Sequence, residues 1–256
     1  MGFAWIFGIG PGDRRFWWVA AIMLLVQFSI SALNEWADAD LDRRAGRQRP
    51  IPLGLVSPGA ALRVAVACAV GAFLLCVLAD LGTVGLLLVG VGTACGWAYD
   101  LWLKASLLSV VPFAIAFPLM PFWIGLLAGR PLSSLLILFL GGSPLAAAIH
   151  LADAIPDRDR DRAAGLKTLA VTLGKPGADM AAVGLLLVGT VIAITVIIRR
   201  GQTGIAALSL VSVVAAALLV SLRWRGHPSS LLLGKWVVIA LATAAAVPLV
   251  VSASGR

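Results

Sequence analysis

Charged side chains are scarce in this sequence. Asp, Glu, Lys and Arg make up 12% of its 256 residues, whereas hydrophobic residues make up 61%. A soluble domain has about 25% charged residues, so this chain has too few to cover a surface that faces water. Disordered chains lack apolar residues, which excludes that class as well. With a mean hydropathy of +1.01, the composition predicts a protein that crosses the membrane several times.

Cysteine is scarce as well. Cys68, Cys76 and Cys95 lie in apolar stretches, and their odd number and their spacing argue against a disulfide framework or a metal site. Acidic residues are outnumbered, because the formal net charge is +8. The basic residues lie in short loops between apolar stretches, a pattern that loop topology and anionic lipid explain better than nucleic acid does. We therefore expect the lipid bilayer as a partner and no nucleic acid.

Eight apolar stretches reach or approach the roughly 20 residues that a membrane-spanning helix needs. They cover about 16–36, 57–79, 82–99, 106–128, 132–155, 177–198, 203–222 and 231–252. Residues 1–10 look like half of another span, and counting this fragment as a truncated first helix gives nine. The sequence predicts an all-α, polytopic membrane helix bundle of about nine helices, forming one domain over 1–256.

The distribution of Lys and Arg predicts the orientation of this bundle. With the truncated helix counted as the first of nine, the loops after helices two, four, six and eight hold 12 of the 20 Lys and Arg residues. The opposite side of the membrane holds 6, and Arg63 and Lys235 are left out because they lie inside helix ends. Positive charge accumulates in cytoplasmic loops, so we place the first group of loops in the cytoplasm and the C-terminus outside. The expected location is the cell membrane.

The acidic residues are clustered. Eight of the 12 lie in two short windows at the cytoplasmic ends of apolar spans. The windows contain Glu35, Asp38, Asp40 and Asp42, and then Asp153, Asp157, Asp159 and Asp161. A carboxylate close to the membrane interior is costly, so each cluster indicates a functional site.

The spacing within each window brings some of these acids together. Asn34, Asp38 and Asp42 are four residues apart, which places them on one face of a helix. Asp153, Asp157 and Asp161 repeat the spacing, although Pro156 is expected to bend or end that helix. Oxygen ligands of this kind suit Mg²⁺, and a metal–diphosphate complex would relieve the repulsion between the carboxylates. The alternative is that these acids are solvated and paired with neighbouring arginines.

Four segments resemble the UbiA superfamily of intramembrane prenyltransferases. Asn34-Glu-Trp-Ala-Asp38-Ala-Asp-Leu-Asp42 resembles its first acidic motif, and residues 43–54 resemble the Arg-Pro-x-Pro-x-Gly loop that follows; we call 34–54 motif one. Residues 157–169 resemble the second acidic motif with its trailing Gly-x-x-Thr-Leu, and we call 153–169 motif two. Residues 99–104 are similar to a Tyr-Ser-x-x-Leu-Lys segment, except that Asp100 stands where Ser is common. Ala105 stands where a second basic residue often follows.

The resemblance implies Mg²⁺-dependent transfer of a polyprenyl group from an allylic diphosphate to a lipophilic, often aromatic, acceptor within the membrane. It also implies a central cavity among the helices and a place in quinone or lipid biosynthesis. The metal ligands it implies are Asn34, Asp38, Asp42, Asp157 and Asp161, with Asp153 as a lesser candidate. For diphosphate contact it implies Arg49, Lys104 and Lys167, with Arg43 and Arg162 as weaker candidates. Of these, Asp38, Asp42, Asp157, Asp161 and Lys104 are the predicted catalytic residues.

Two other functions are compatible with these motifs. A terpene cyclase of the same fold would use the diphosphate alone, without an acceptor. An ion-coupled transporter would use intramembrane acids as ion ligands, but such acids are expected near the bilayer midplane in broken helices. The sequence leaves open the acceptor, the prenyl chain length and the oligomeric state.

Overall fold

The computed structural model describes residues 1–256 except 205, 208–209, 212–213, 215–217, 219–229 and 256. Chain contacts divide it into two compact units, Met1–Lys104 and Ala105–Arg256. The helices of the first unit are α1 (Gly2–Ile6), α2 (Arg14–Arg44), α3 (Pro58–Leu78) and α4 (Gly82–Ala98), which continues as a π-helical turn, Tyr99–Leu103. After a 3₁₀ turn, Leu107–Val110, the second unit has α5 (Val111–Leu127), α6 (Leu132–Leu135), α7 (Ile137–Ala154), α8 (Arg158–Ala163), α9 (Leu169–Arg199) and α10 (Ser230–Ser254).

Seven of these helical segments are long and apolar enough to cross a membrane. They correspond to seven of the eight predicted spans, and the expectation of an all-α membrane bundle is confirmed. The short helix α1 occupies the predicted half span, while the predicted span at 203–222 lies largely outside the described residues. Apolar side chains face outward on these helices: Val77 and Leu78 on α3 are 67% and 71% exposed. Such a surface suits lipid and would be costly in water.

In the first unit, α2 is the helix that positions motif one. It is 31 residues long and is capped by Asp13, whose carboxylate accepts a hydrogen bond from the Arg15 backbone N–H at 2.8 Å. Hydrogen bonding to Arg15 lowers the pKa of Asp13. The helix extends well past the predicted end of its apolar span, so that Asn34, Asp38 and Asp42 lie on its last turns.

Small residues allow the helices of the first unit to approach closely. A line of buried alanines on α3 includes Ala61, Ala65 and Ala69. The hydroxyl of Ser29, in α2, donates to the Ala65 carbonyl at 2.8 Å and accepts from Trp97 Nε1, in α4, at 3.0 Å. This buried polar bridge joins α2 to both of its neighbours and therefore fixes the helix that carries motif one.

In the second unit, α7 and α9 cross at two glycines. A Cβ atom at Gly189 would lie 2.7 Å from Leu145 Cγ and 2.9 Å from the Gly141 carbonyl oxygen. The helix α9 is itself interrupted at Gly174, whose φ of 67° and ψ of 174° are not helical. Motif two lies at the end of α7 and along the segment that leads to α9, where Leu151 and Ile155 pack in one buried cluster with alanines of α9.

Candidate active site

The side chains of motif one are progressively buried along α2. Asn34 and Asp38 are half-buried, whereas Asp42 is only 3% exposed. The continuous helix through Arg44 keeps all three on one face, as the spacing predicted. By contrast, Asp40 lies off this face and pairs with Arg43 Nη1 at 2.6 Å, with both side chains exposed. Arg43, a weaker candidate for diphosphate contact, is therefore held by an acid outside the motif face.

The π-helical turn brings two more charged groups to this face. The Lys104 backbone N–H donates to the Tyr99 carbonyl at 2.9 Å, closing the wider turn characteristic of a π-helix. The Lys104 ammonium forms an ion pair with Asp38 Oδ1, and both side chains are partly buried. Thus the structure joins the predicted metal ligand Asp38 to the predicted diphosphate ligand Lys104, which are 66 residues apart in sequence.

Asn34 connects Asp38 to a second carboxylate. With the amide oriented by its hydrogen-bonding partners, its nitrogen donates to Asp38 Oδ2 at 3.1 Å and to Asp100 Oδ1 at 3.1 Å. Asp100 is buried, with 4% of its surface exposed, and its Oδ2 atom has no hydrogen-bond partner among the described residues. In the sequence, Asp100 is only a departure from the Tyr-Ser-x-x-Leu-Lys pattern. Nothing in its spacing indicates that α4 brings it to Asn34.

The loop after α2 supplies two further ion pairs. Arg47 Nη1 lies 2.7 Å from Asp42 Oδ1, and Arg49 Nη1 lies 3.1 Å from Glu35 Oε1. Arg49 was a predicted diphosphate ligand, but Arg47 was not selected, since a sequence rich in arginine does not indicate which one turns back onto the helix. Gly46, with a φ of 64°, ends α2 and begins this return.

Motif two has a different local structure. The helix α7 ends at Ala154, two residues before Pro156, and α8 begins at Arg158. Asp153, Asp157 and Asp161 therefore do not share one continuous helix, in agreement with the bend or end expected from Pro156. The physical reason is that proline disfavours a helical conformation in the residue before it and lacks the N–H that a helix needs.

The acids of motif two are also more exposed. Asp153 forms an ion pair with Lys235, in α10, a partner that the sequence analysis did not identify. Asp157 pairs with Arg160 at 2.9 Å, and both side chains are about half exposed, at 51% and 55%. Asp161 is half-buried. Lys167 and Arg162, the predicted diphosphate ligands of this motif, are exposed, Lys167 in the loop that leads to α9 and Arg162 near the end of α8.

Among the described residues, no three Asp, Glu, His or Cys side chains form a group that could hold a metal ion. Instead, the acids of motif one are neutralised by lysine or arginine. The donor set nevertheless fits Mg²⁺, because carboxylate and amide oxygens are hard ligands and Mg²⁺ takes only one or two carboxylates alongside phosphate and water. Asn34 and Asp38, already in contact, could supply such a pair once Lys104 no longer occupies Asp38 Oδ1.

The fold and this arrangement define a class: a polytopic membrane helix protein with acidic and basic side chains paired at its helix ends. The family model described as the UbiA prenyltransferase family matches residues 1–230. The chain belongs to this family and is a prenyltransferase, which confirms the family that the motifs indicated.

Curated relatives differ in the acceptor that their names indicate. The digeranylgeranylglyceryl phosphate synthase of Korarchaeum cryptofilum is 29% identical over 220 residues, which cover 84% of this chain and 76% of that protein. A 4-hydroxybenzoate octaprenyltransferase of Cupriavidus metallidurans is 29% identical over 168 residues, covering 64% of this chain. The chain spans about half the length of that relative, at 56%.

Solved structures share the fold. A UbiA homologue from Aeropyrum pernix K1 superposes with a TM-score of 0.72 at 23% identity, covering 94% of this chain and 92% of that one. A UbiA homologue from Archaeoglobus fulgidus bound to GPP and Mg²⁺ has a TM-score of 0.69 at 20% identity, covering 97% and 93%.

Proposed function

We propose that this chain transfers a prenyl group from an allylic diphosphate to a lipophilic acceptor within the membrane, with Mg²⁺ as the cofactor. The observation that carries this proposal is the network of Asn34, Asp38 and Lys104 at the end of α2. It combines oxygen ligands for a hard cation with an ammonium group for a diphosphate, at the end of a membrane-spanning helix. The Mg²⁺ named in the solved A. fulgidus complex agrees with this chemistry.

The proposed metal ligands are Asn34, Asp38 and Asp42 in motif one and Asp157 and Asp161 in motif two, with Asp153 as a lesser candidate. When bound, Mg²⁺ supplies positive charge that stabilises the diphosphate as a leaving group. Asp38 and Asp42 lie in a partly buried setting, where electrostatic interactions are stronger than in water. Asp42, at 3% exposed, is the most buried of them.

Lys104 has two roles in this proposal. In the structure its ammonium neutralises Asp38. With a divalent cation at Asp38, the ammonium would be free to donate hydrogen bonds to the diphosphate oxygens and would stabilise the charge that develops as the C–O bond breaks. The same argument applies to Arg47 and Arg49. Their guanidinium groups pair with Asp42 and Glu35 of α2. Lys104, Arg47 and Arg49, which we propose as diphosphate-binding cations, are thus each paired with an acid of α2.

The prenyl tail and the acceptor require an apolar environment that excludes water from the allylic cation. The membrane-spanning helices supply one, because their exposed surfaces are rich in Leu and Val. We propose that the motifs face the cytoplasm in the cell membrane, since the loops that carry them hold the excess of Lys and Arg. The relatives' names indicate two acceptor chemistries, a glyceryl phosphate and 4-hydroxybenzoate.

The test is release of diphosphate from radiolabelled allylic diphosphates of several chain lengths, beginning with geranylgeranyl diphosphate, by the purified full chain in lipid nanodiscs. The reaction is followed with and without Mg²⁺, and with a panel that includes both acceptor chemistries. Release that requires Mg²⁺ and one acceptor supports the proposal and identifies the acceptor. Release without any acceptor, yielding a hydrocarbon or an alcohol, would indicate a cyclase instead. If donors of every chain length are left unconsumed, the proposal is wrong.

A matched pair of variants assigns the activity to motif one. Asp38→Asn removes a charge that is partly buried and paired with Lys104. Asp40→Asn makes the same chemical change two residues away, at a side chain that is 80% exposed and points off the motif face. We expect the first variant to lose turnover and the second to retain it.

A further inference from the structure

Asp100 is outside both acidic motifs, yet it lies against motif one. It belongs to the π-helical turn Tyr99–Leu103, and it is 4% exposed. Its Oδ1 atom accepts a hydrogen bond from the Asn34 amide nitrogen at 3.1 Å, and the same nitrogen donates to Asp38 Oδ2 at 3.1 Å. Two carboxylates from two helices thus share one amide group.

The chemistry of the amide gives this arrangement a consequence. A side-chain amide has one atom that can ligate a cation, its carbonyl oxygen, and one that cannot, its nitrogen. The Asn34 nitrogen donates to one oxygen of Asp38 and to one oxygen of Asp100, so both carboxyl groups hold this nitrogen toward them. With its two N–H groups used by two different carboxylates, the amide cannot rotate without breaking a hydrogen bond. Its carbonyl oxygen is consequently directed away from them.

Asp100 is suited to this task by its surroundings. Its Oδ2 atom is buried without a hydrogen-bond partner in the part of the chain that the structure describes. A buried carboxylate oxygen without a partner reduces stability, so the group is not explained by a contribution to folding. Its observed hydrogen bond is the one to Asn34.

We infer that Asp100 is a positioning residue, which together with Asp38 holds the Asn34 amide so that its carbonyl oxygen is presented as a ligand for the divalent cation. This inference rests on the proposed function, because it requires a cation at motif one. Outer partners that orient metal ligands are worth 10- to 100-fold in metal affinity, as a general rule. We expect about a tenfold effect here, since Asp38 retains one of the two hydrogen bonds.

The experiment measures Mn²⁺ binding to the full chain in nanodiscs by electron paramagnetic resonance, with an unreactive thio analogue of geranylgeranyl diphosphate present. Four variants are compared with the native chain: Asp100→Leu, Asp100→Asn, Asn34→Ala and the double variant Asn34→Ala with Asp100→Leu. Asp100→Leu should weaken Mn²⁺ binding about tenfold, whereas Asp100→Asn should stay close to native, since its carbonyl oxygen still accepts from Asn34. In the Asn34→Ala background, Asp100→Leu should have no further effect, because residues that act through one another are not additive.

Contrary results identify which part fails. If Asp100→Asn binds Mn²⁺ as weakly as Asp100→Leu, the charge of Asp100 matters and the hydrogen bond does not, which overturns the inference. A further tenfold loss in the double variant overturns it as well. Asp38→Asn is the control for the proposed function: if it binds Mn²⁺ like the native chain, motif one is not the metal site and both proposals fail. Thermal unfolding of each variant checks the fold, and the isosteric Asp100→Asn keeps the test open should the leucine variant fail to fold.

Discussion

Motif one and motif two have the same spacing of acids, but the structure treats them differently. In motif one Asp38 and Asp42 lie on a continuous helix, and their partners come from outside it: Lys104 follows the π-helical turn, and Arg47 lies in the loop after α2. In motif two the helix ends at Ala154, and Asp157 pairs with Arg160 three residues away. The comparison teaches that a repeated pattern in the sequence does not imply a repeated environment, because burial and partners are set by the surrounding helices.

The largest expected effects are on turnover. Asp38→Asn and Asp157→Asn should each reduce kcat by about 10²- to 10³-fold, the range observed when one stabilising group in a preorganised site is removed. Both variants should still fold, since neither side chain is fully buried. The measurement is Mg²⁺-dependent diphosphate release with the acceptor found in the nanodisc assay. Near-native kcat for Asp157→Asn alone would remove motif two from the site and leave motif one in place.

The next largest effect is on the free energy of unfolding, and we expect it to differ between the two motifs. Arg47→Ala leaves Asp42, whose side chain is 4% exposed, without its cation. Removing one partner of a buried pair costs about 3–5 kcal/mol, and we expect the lower end because Arg47 itself is partly exposed. Arg160→Ala in motif two should change stability by less than about 1 kcal/mol, as exposed pairs do.

Thermal unfolding in nanodiscs measures both arginine variants. Adding Asp42→Asn to Arg47→Ala should recover much of the loss, since the buried charge is then removed as well. Equal destabilisation by Arg47→Ala and Arg160→Ala would show that the two motifs differ less than their burial indicates.

The membrane spans could be predicted from the sequence, because length and hydropathy alone determine where a helix crosses a bilayer. The common face of Asn34, Asp38 and Asp42 could also be predicted, since it depends only on helical spacing. The break in motif two could be predicted from Pro156, because proline lacks the backbone N–H that a helix needs. The contacts of Arg47 and Asp100 could not be predicted. They depend on a loop that turns back at Gly46 and on how α4 packs against α2, neither of which is encoded in local spacing.

Glycine contacts allow a packing comparison between the two units. A methyl group at Gly189 would lie 2.9 Å from the Gly141 carbonyl oxygen, which is backbone and cannot move aside. At Gly96 the obstacle is the side chain of Ile30, which can change its rotamer. We expect Gly189→Ala to cost about 2 kcal/mol and Gly96→Ala about 1 kcal/mol, within the range for overpacking. Thermal unfolding checks the order, and a larger loss for Gly96→Ala would contradict it.

The smallest effect is expected at the first position of the acidic spacing in motif two, which corresponds to Asn34 in motif one. Asn34 and Asp153 occupy the same register position, four residues before Asp38 and Asp157. Asn34 is held between two carboxylates, while Asp153 is more than half exposed, at 57%, and pairs with Lys235 of α10. An exposed ion pair contributes about 0–1 kcal/mol. Asp153→Asn should therefore change the free energy of unfolding by less than about 1 kcal/mol, and kcat by only a few-fold.

Asn34→Ala provides the contrast to Asp153→Asn, with an expected loss of 10- to 100-fold in metal affinity, the scale on which a displaced ligand acts. Both variants are measured by Mg²⁺ titration of diphosphate release, which gives kcat and the half-saturating Mg²⁺ concentration separately. If Asp153→Asn raises that concentration as much as Asn34→Ala does, then Asp153 is a ligand despite its pairing with Lys235. The two motifs would then be equivalent in function although they differ in local structure.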